Sequence, residues 1–271
     1  MRNIVLLLST ALAAVLPASG ALVSVTFDDI AAGDLNTKGG GTGLSGTWTG
    51  TSTINAIANN LTAPASTGYA IATTGTAQSA QGSFNAFRQV TRSISDTMTG
   101  EVWFSFLASS PNSGSSAGIT LNSSGNSPTT PALGVFLTSN QLSVGFNSAV
   151  AGTGATVTTG STGLILGRLV INESGDETLS VWLNPDVTGG IAGLGTAAAS
   201  YSAEVAGLNS GLNLIGVGSY RASGSAGIID GIRLSNAIDP NQAFLDVTTI
   251  PEPSAALLAL GGLAVAFRRR R

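Results

Sequence analysis

Glu101–Val102–Trp103–Phe104–Ser105–Phe106–Leu107–Ala108 is the stretch on which the fold turns. Val102, Phe104 and Phe106 alternate with Trp103, Ser105 and Leu107, so an extended chain here is apolar on nearly both faces. Such a segment belongs at the centre of a sheet. Outward from it the period of two recurs. Leu22–Phe27 sets Leu22, Ser24 and Thr26 against Val23, Val25 and Phe27. Ala132–Thr138 and Gln141–Phe146 flank the polar pair Ser139–Asn140, which predicts a hairpin. Leu164–Asn172 and Thr178–Leu183 flank Glu173–Ser174–Gly175–Asp176–Glu177, a second hairpin with glycine in its loop. Asn213–Ser219 and Gly227–Leu234 close the series. The clusters Gly39–Gly43, Ser109–Ser116 and Gly152–Gly163 read as loops. About ten short strands with turn signals between them, and no helix-length amphipathic stretch, predict an all-β, antiparallel β-sandwich. Trp103 and Trp182 are expected in or against its core. The glycine-rich stretches keep no constant period, which disfavours a solenoid.

The chain has 271 residues, 36 Gly, 9 Pro and no Cys or His, and only 9% of it is charged. Without Cys or His there is no Ser-His-Asp or Cys-His catalysis, no disulfide framework and no imidazole or thiolate zinc site.

The two ends read as addresses. Met1–Arg2–Asn3 is a cationic start, Ile4–Leu16 is apolar, and Pro17, Ala18, Ser19, Gly20 and Ala21 form a small-residue exit. That three-part order describes a secretory signal peptide over 1–21, cut after Gly20 or Ala21. At the other end, Pro251–Glu252–Pro253 precedes the uncharged run Ala255–Phe267, and Arg268, Arg269, Arg270 and Arg271 close the chain. An amphipathic core helix does not fit a run that is apolar all round and ends in a charge block. Taken over 254–267 the run is short for a bilayer, since 13 residues from Ala255 to Phe267 reach about 20 Å against a core of roughly 30 Å. Snorkelling arginines and the preceding residues make up the difference.

Pro251, Glu252, Pro253, the apolar run and the four arginines, in that order, resemble the PEP-CTERM sorting signal of Gram-negative bacteria. The resemblance covers about the last 20 residues and implies an exosortase substrate, carried by a single transmembrane sorting helix and released toward the outer surface. The domain plan that follows is signal peptide 1–21, β-sandwich 22–236, linker 237–249 and sorting signal 250–271. Signal peptidase and exosortase are then its partners during export. Removing Arg2, the four terminal arginines and Glu252 from the eleven cationic and fourteen acidic residues leaves six and thirteen, a net charge of −7 for the body. Such a surface does not neutralise a phosphate backbone or adhere to anionic lipid, so nucleic acid is not an expected partner.

Several body segments resemble the concanavalin A-like, or LamG-like, jelly-roll domains found ahead of PEP-CTERM signals. They are Glu101–Ala108, Leu164–Asn172, Leu179–Ser180–Val181–Trp182–Leu183–Asn184–Pro185 and Ile229–Asp230–Gly231–Ile232–Arg233–Leu234. The resemblance implies a jelly roll whose relatives bind carbohydrate, bind protein or have no assigned ligand.

Candidate chemistry is sparse. Jelly-roll glucanases place acids as Glu-x-Asp-x-x-Glu on one strand, and no such run is present. Glu101 stands alone on its strand, and Glu173, Asp176 and Glu177 fall in a hairpin turn where acids keep a loop solvated. Gly39–Gly43 lacks the strand–loop–helix setting of a phosphate loop, and Lys38 precedes it. Arg88 and Arg92 are too few to make a basic patch. Asp28, Asp29 and Asp34 follow the first strand, and in a jelly roll the last strand brings Asp230 beside them. Asp28–Asp29 reads first as a turn or strand-end cap, with no cofactor required; the alternative is that the four together hold Ca²⁺. Trp48 and Tyr220 are the candidate exposed aromatics for stacking on sugar.

The leading expectation is therefore a non-enzymatic, exosortase-sorted surface or matrix protein, structural or adhesive, associated with exopolysaccharide and biofilm. The alternative is a lectin-like carbohydrate-binding module, Ca²⁺-dependent if the aspartates assemble. A hydrolase with an unfamiliar carboxylate pair is the third reading.

Overall fold

Glu101–Ser109 lies at the centre of a sheet, bonded to Thr162–Val170 on one side and Ile228–Ser235 on the other. The computed structural model describes residues 22–50, 54–70, 78–82, 87–122, 133–146, 149–205, 207–221 and 224–249. Residues 1–21, expected as a signal peptide, and 250–271, expected as a sorting signal with a transmembrane stretch, lie outside the described residues. In chain order the strands are β1 (Leu22–Val25), β2 (Gly33–Asp34), β3 (Leu44–Thr49), β4 (Ile54–Ile57), β5 (Ser79–Gly82), β6 (Arg88–Met98), β7 (Glu101–Ser109) and β8 (Ser115–Leu121). They continue with β9 (Leu133–Thr138), β10 (Gln141–Phe146), β11 (Ala149–Thr156), β12 (Thr162–Val170), β13 (Glu177–Leu183), β14 (Ala199–Ala203), β15 (Leu212–Arg221) and β16 (Ile228–Ser235). Among the described residues, two α-helices, α1 (Gly190–Gly193) and α2 (Pro240–Thr248), and a 3-10 turn at Ala65–Thr67 complete the set.

The strands form an antiparallel sandwich. One sheet runs β14-β13-β12-β7-β16-β5-β4-β2 with β1 also on β16, and the other runs β11-β10-β9-β8-β15-β6-β3. Ser139 and Asn140 take φ of 49° and 68°, as a two-residue hairpin between β9 and β10 demands.

Two apolar clusters explain the double-faced β7. Val102, Phe104 and Phe106 join Ile119, Val135 and Val217 in the core between the sheets. Trp103 and Leu107 point the other way, into a second cluster that includes Leu164, Leu166, Phe244 and Val247. There Trp103 stacks on Trp182 at 6.0 Å and meets the edge of Phe244 at 5.3 Å. Its indole N–H donates to Glu101 Oε1 at 2.8 Å, while Glu101 Oε2 pairs with Arg168 at 2.5 Å.

Two stretches, 237–249 and 152–156, differ from the expected elements. Residues 237–249, read as a linker, carry α2. Asp239 caps it by accepting from Asn241 N, Pro240 opens it, and Ala243, Phe244 and Val247 bury its inner face. Nine residues are too few for a strong periodic signal, and the helix is held by docking on β7 and β16. The stretch 152–156, read as loop, belongs to the edge strand β11, because β10 supplies pairing that overrides its poor strand propensity. Phe244→Ala is expected to lower stability by about 3–5 kcal/mol, against about 1 kcal/mol for Asp239→Ala, both read from urea unfolding midpoints. Equal small losses would mean that α2 does not cover Trp103.

Candidate functional site

The first chemical grouping arises where β16 changes partners. Ile228 and Ile229 pair with β5, whereas Ile232 to Ser235 pair with β1. Asp230 and Gly231 occupy the gap, and Gly231 takes a φ of 58°. Asp230 Oδ1 accepts from Gly231 N at 2.7 Å and Oδ2 from Leu61 N at 3.2 Å. Asp28, just past β1, accepts from Gln78 N at 2.9 Å. Both aspartates are buried. Burial, with the charge of Asp28 adding to it, pushes the Asp230 carboxyl up to about 7 despite the two backbone donors. The buried Tyr69 hydroxyl lies 3.2 Å from Ser105 Oγ and donates to Gly231 O at 3.3 Å, and burial raises its pKa.

Of the four candidate aspartates, Asp28 and Asp230 are thus brought together and the others are not. Asp29 Oδ2 accepts from Gly41 N at 2.7 Å and anchors the glycine loop. Asp34 Oδ1 accepts from Asn36 N at 2.9 Å in an exposed turn. Asp34 satisfies a donor of its own turn and Asp29 one of the glycine loop twelve residues on, so each carboxylate is engaged away from the pair. Among the described residues no three acidic side chains gather to hold a metal.

Glu177 and Glu101 are structurally engaged. Glu177 is fully buried rather than solvating its hairpin, and its Oε2 accepts from Val205 N at 2.6 Å. Glu101 lines a notch of about 400 Å³ with Asp96, Thr97, Asn236 and Ile238, but Arg168 and Trp103 already hold its two oxygens.

Trp48 requires a correction, since it is fully buried and presents no sugar platform. It tilts against Phe27 at 6.4 Å, with the Arg92 guanidinium 5.9 Å from its ring. On an otherwise exposed or half-exposed edge strand, the largest apolar side chain gains most by turning inward.

Tyr220 sits differently. Ile215 and Val217 face the core, so alternation directs Gly216, Gly218 and Tyr220 to the outer face of the seven-stranded sheet. Register lines up Gln141, Thr138, Ser116 and half-buried Tyr220 across β10, β9, β8 and β15. Ser116 Oγ and Thr138 Oγ1 are 2.9 Å apart. The next row is Ser143, Phe136, Gly118, Gly218 and Gln89. Phe136 meets Phe87 edge to face at 5.8 Å. Both rings rest where side chains at Gly118 and Gly218 would stand, 2.6 and 2.4 Å from the Cβ positions. Gln89 donates to Thr120 beyond them. These rows contain no charged residue, and the helices pack on the opposite sheet. Alternate glycines in Gly216–Val217–Gly218 were the sequence signal for this floor.

No family model matches the chain, and no curated protein matches its sequence. Solved structures do. Domain 4 of an extracellular GH43 arabinanase from Geobacillus stearothermophilus, in complex with arabinotriose, is 14% identical with a TM-score of 0.45, covering 85% of this chain and all of that one. An endo-β-1,4-glucuronan lyase from the fungus Trichoderma reesei is 11% identical with a TM-score of 0.43, over 81% and 98% of the two chains. The metal-free exoplasmic/lumenal domain of VIP36 is 10% identical with a TM-score of 0.45, over 80% and 93%.

Proposed function

We propose that this protein is an exported surface or matrix protein whose sandwich holds neutral polysaccharide on the outer face of its seven-stranded sheet. The observation that carries the reading is the Gln141–Thr138–Ser116–Tyr220 row. It is an uncharged line of amide, hydroxyl and aromatic groups, about 14 Å long across three inter-strand gaps. Hydroxyls and amides exchange hydrogen bonds with sugar hydroxyls, and an amphipathic ring covers the apolar face of a pyranose. An acidic body repels polyanions, which favours neutral glycans. No catalytic role is assigned, because Asp28 and Asp230 are the buried pair the fold assembles and both already accept backbone N–H groups.

Tyr220→Ala is expected to weaken binding to the best neutral glycan on an array at least about tenfold. Tyr220→Phe keeps most of it. If the unaltered protein retains no glycan, the lectin reading falls and a purely structural matrix role stands in its place.

Delivery rests on the ends of the chain. The three-part start over 1–21 and the Pro251–Glu252–Pro253, apolar, Arg268–Arg271 order support signal-peptidase and exosortase processing. Changing the four arginines to Ala should leave a larger, cell-retained form on immunoblots of fractionated cells. Unchanged size and surface delivery would argue against sorting. A second reading adds Ca²⁺ at Asp28 and Asp230, favoured by two buried carboxylates, the charge of one of which raises the pKa of the other.

A further inference from the structure

A sheet edge exposes unpaired backbone N–H and C=O groups, and folds blunt such edges with short strands, bulges, charges or proline. Among the described residues, three of the four sheet ends are blunted. The β2 end is two residues long. The β3 edge shifts register between Ser45 and Thr49, with Gly46 at a φ of 67°. The β11 edge shifts register opposite Gln141–Ser143, with Gly154 at 81°.

Among the described residues the β14 end has none of these devices. Its five residues pair with β13 in unbroken register from Ala199 to Ala203. They include no charge and no proline, and Ser200 and Ser202 are exposed. The segment also reads the same in both directions, as Ala199–Ser200–Tyr201–Ser202–Ala203.

We propose that β14 pairs antiparallel with β14 of a second copy, around a two-fold axis at Tyr201. In that register Tyr201 faces its own counterpart, Ser200 faces the partner's Ser202, and Ala199 faces the partner's Ala203. A two-fold contact must be complementary to itself, and a palindromic strand meets that requirement at every position. Like-sized pairs then fall opposite one another, with serine pairs on one face and a tyrosine pair on the other. The nearest exposed acid, Glu204, falls opposite the partner's Ala198, so no carboxylates oppose. The two nine-stranded sheets become one continuous sheet through the dimer. The pairing is about 17 Å long, so it is weak in dilute solution and gains where copies are crowded on a surface.

The test uses the full chain in mild detergent, which contains no native cysteine to confuse it. Under mild oxidation, a mixture of Ser200→Cys and Ser202→Cys chains should cross-link at least about tenfold more than either alone, because opposed Cβ atoms lie about 4.5–5.5 Å apart. In sedimentation at high concentration, Ser200→Lys/Ser202→Lys should lose the dimer, whereas Ser200→Lys/Ser202→Glu should keep it by setting each lysine opposite a glutamate. Both sites are exposed, so the variants retain the fold, which far-UV circular dichroism checks. Equal cross-linking in all three samples, identical behaviour of the two charge variants, or a monomer at about 1 mM would overturn the proposal.

Discussion

Gly167→Val is expected to unfold the sandwich or to cost it about 4–5 kcal/mol or more. Gly167 lies on β12 opposite Phe104, and a Cβ there would stand 2.0 Å from the ring's Cζ and 2.4 and 2.5 Å from its Cε atoms. Phe104 is fully buried between the sheets and has no free volume into which to swing. β12 and β7 are neighbours in the middle of the nine-stranded sheet, so the clash spreads along the most extensively paired strands. Paired with Phe104→Leu, the valine should regain part of the loss, since the smaller side chain makes room. Urea unfolding of the single and double variants gives the coupling. A single variant within about 1 kcal/mol of the parent would show that β7 and β12 accommodate the added bulk.

The second large effect is a pH dependence that runs opposite to ordinary acid denaturation. Asp230 binds its proton up to about pH 7 in the folded protein, against 3.8 for the ordinary carboxyl. The folded state therefore holds that proton more tightly than the unfolded chain does. Its contribution is complete below about pH 4, declines as pH rises, and is gone above about pH 7. The wild-type melting temperature should fall between pH 5 and pH 8, by the equivalent of at most about 4 kcal/mol. Asp230→Asn should abolish that fall, because an amide carries no charge to desolvate. An unaltered slope in the variant would place the titrating group elsewhere. The same melts at pH 8 examine the Ca²⁺ reading. If Asp28 and Asp230 hold the ion, millimolar Ca²⁺ restores the lost melting temperature in wild type and does nothing in Asp230→Asn. No Ca²⁺ effect on wild type removes the metal and leaves the proton.

Much of this was legible along the chain. Period-two alternation, the Ser139–Asn140 turn and the double-faced Glu101–Ala108 strand carried the sandwich, because strand pattern and hairpin chemistry are local properties. The presence of β16 beside β1, and with it the approach of Asp230 to Asp28, was also anticipated. What stayed hidden has a common physical cause. Whether Trp48 faces water or the core depends on the irregular register of β3 against β6, which local residues do not encode. Asp29 and Asp34 lie near Asp28 in sequence, yet Asp29 is claimed by Gly41 N of the glycine loop and Asp34 by Asn36 N of its own turn.

Alternation and turn chemistry were settled by residue order alone, because each acts within a few residues. Which residues line up across the outer face of the seven-stranded sheet, that Asp28 and Asp230 are both buried, and that a nine-residue helix shields Trp103 were settled only in three dimensions. Those outcomes depend on contacts between segments more than a hundred residues apart, such as Ser105 Oγ with Val247 O and Leu61 N with Asp230, where burial and hydrogen-bond competition decide between otherwise equal local choices.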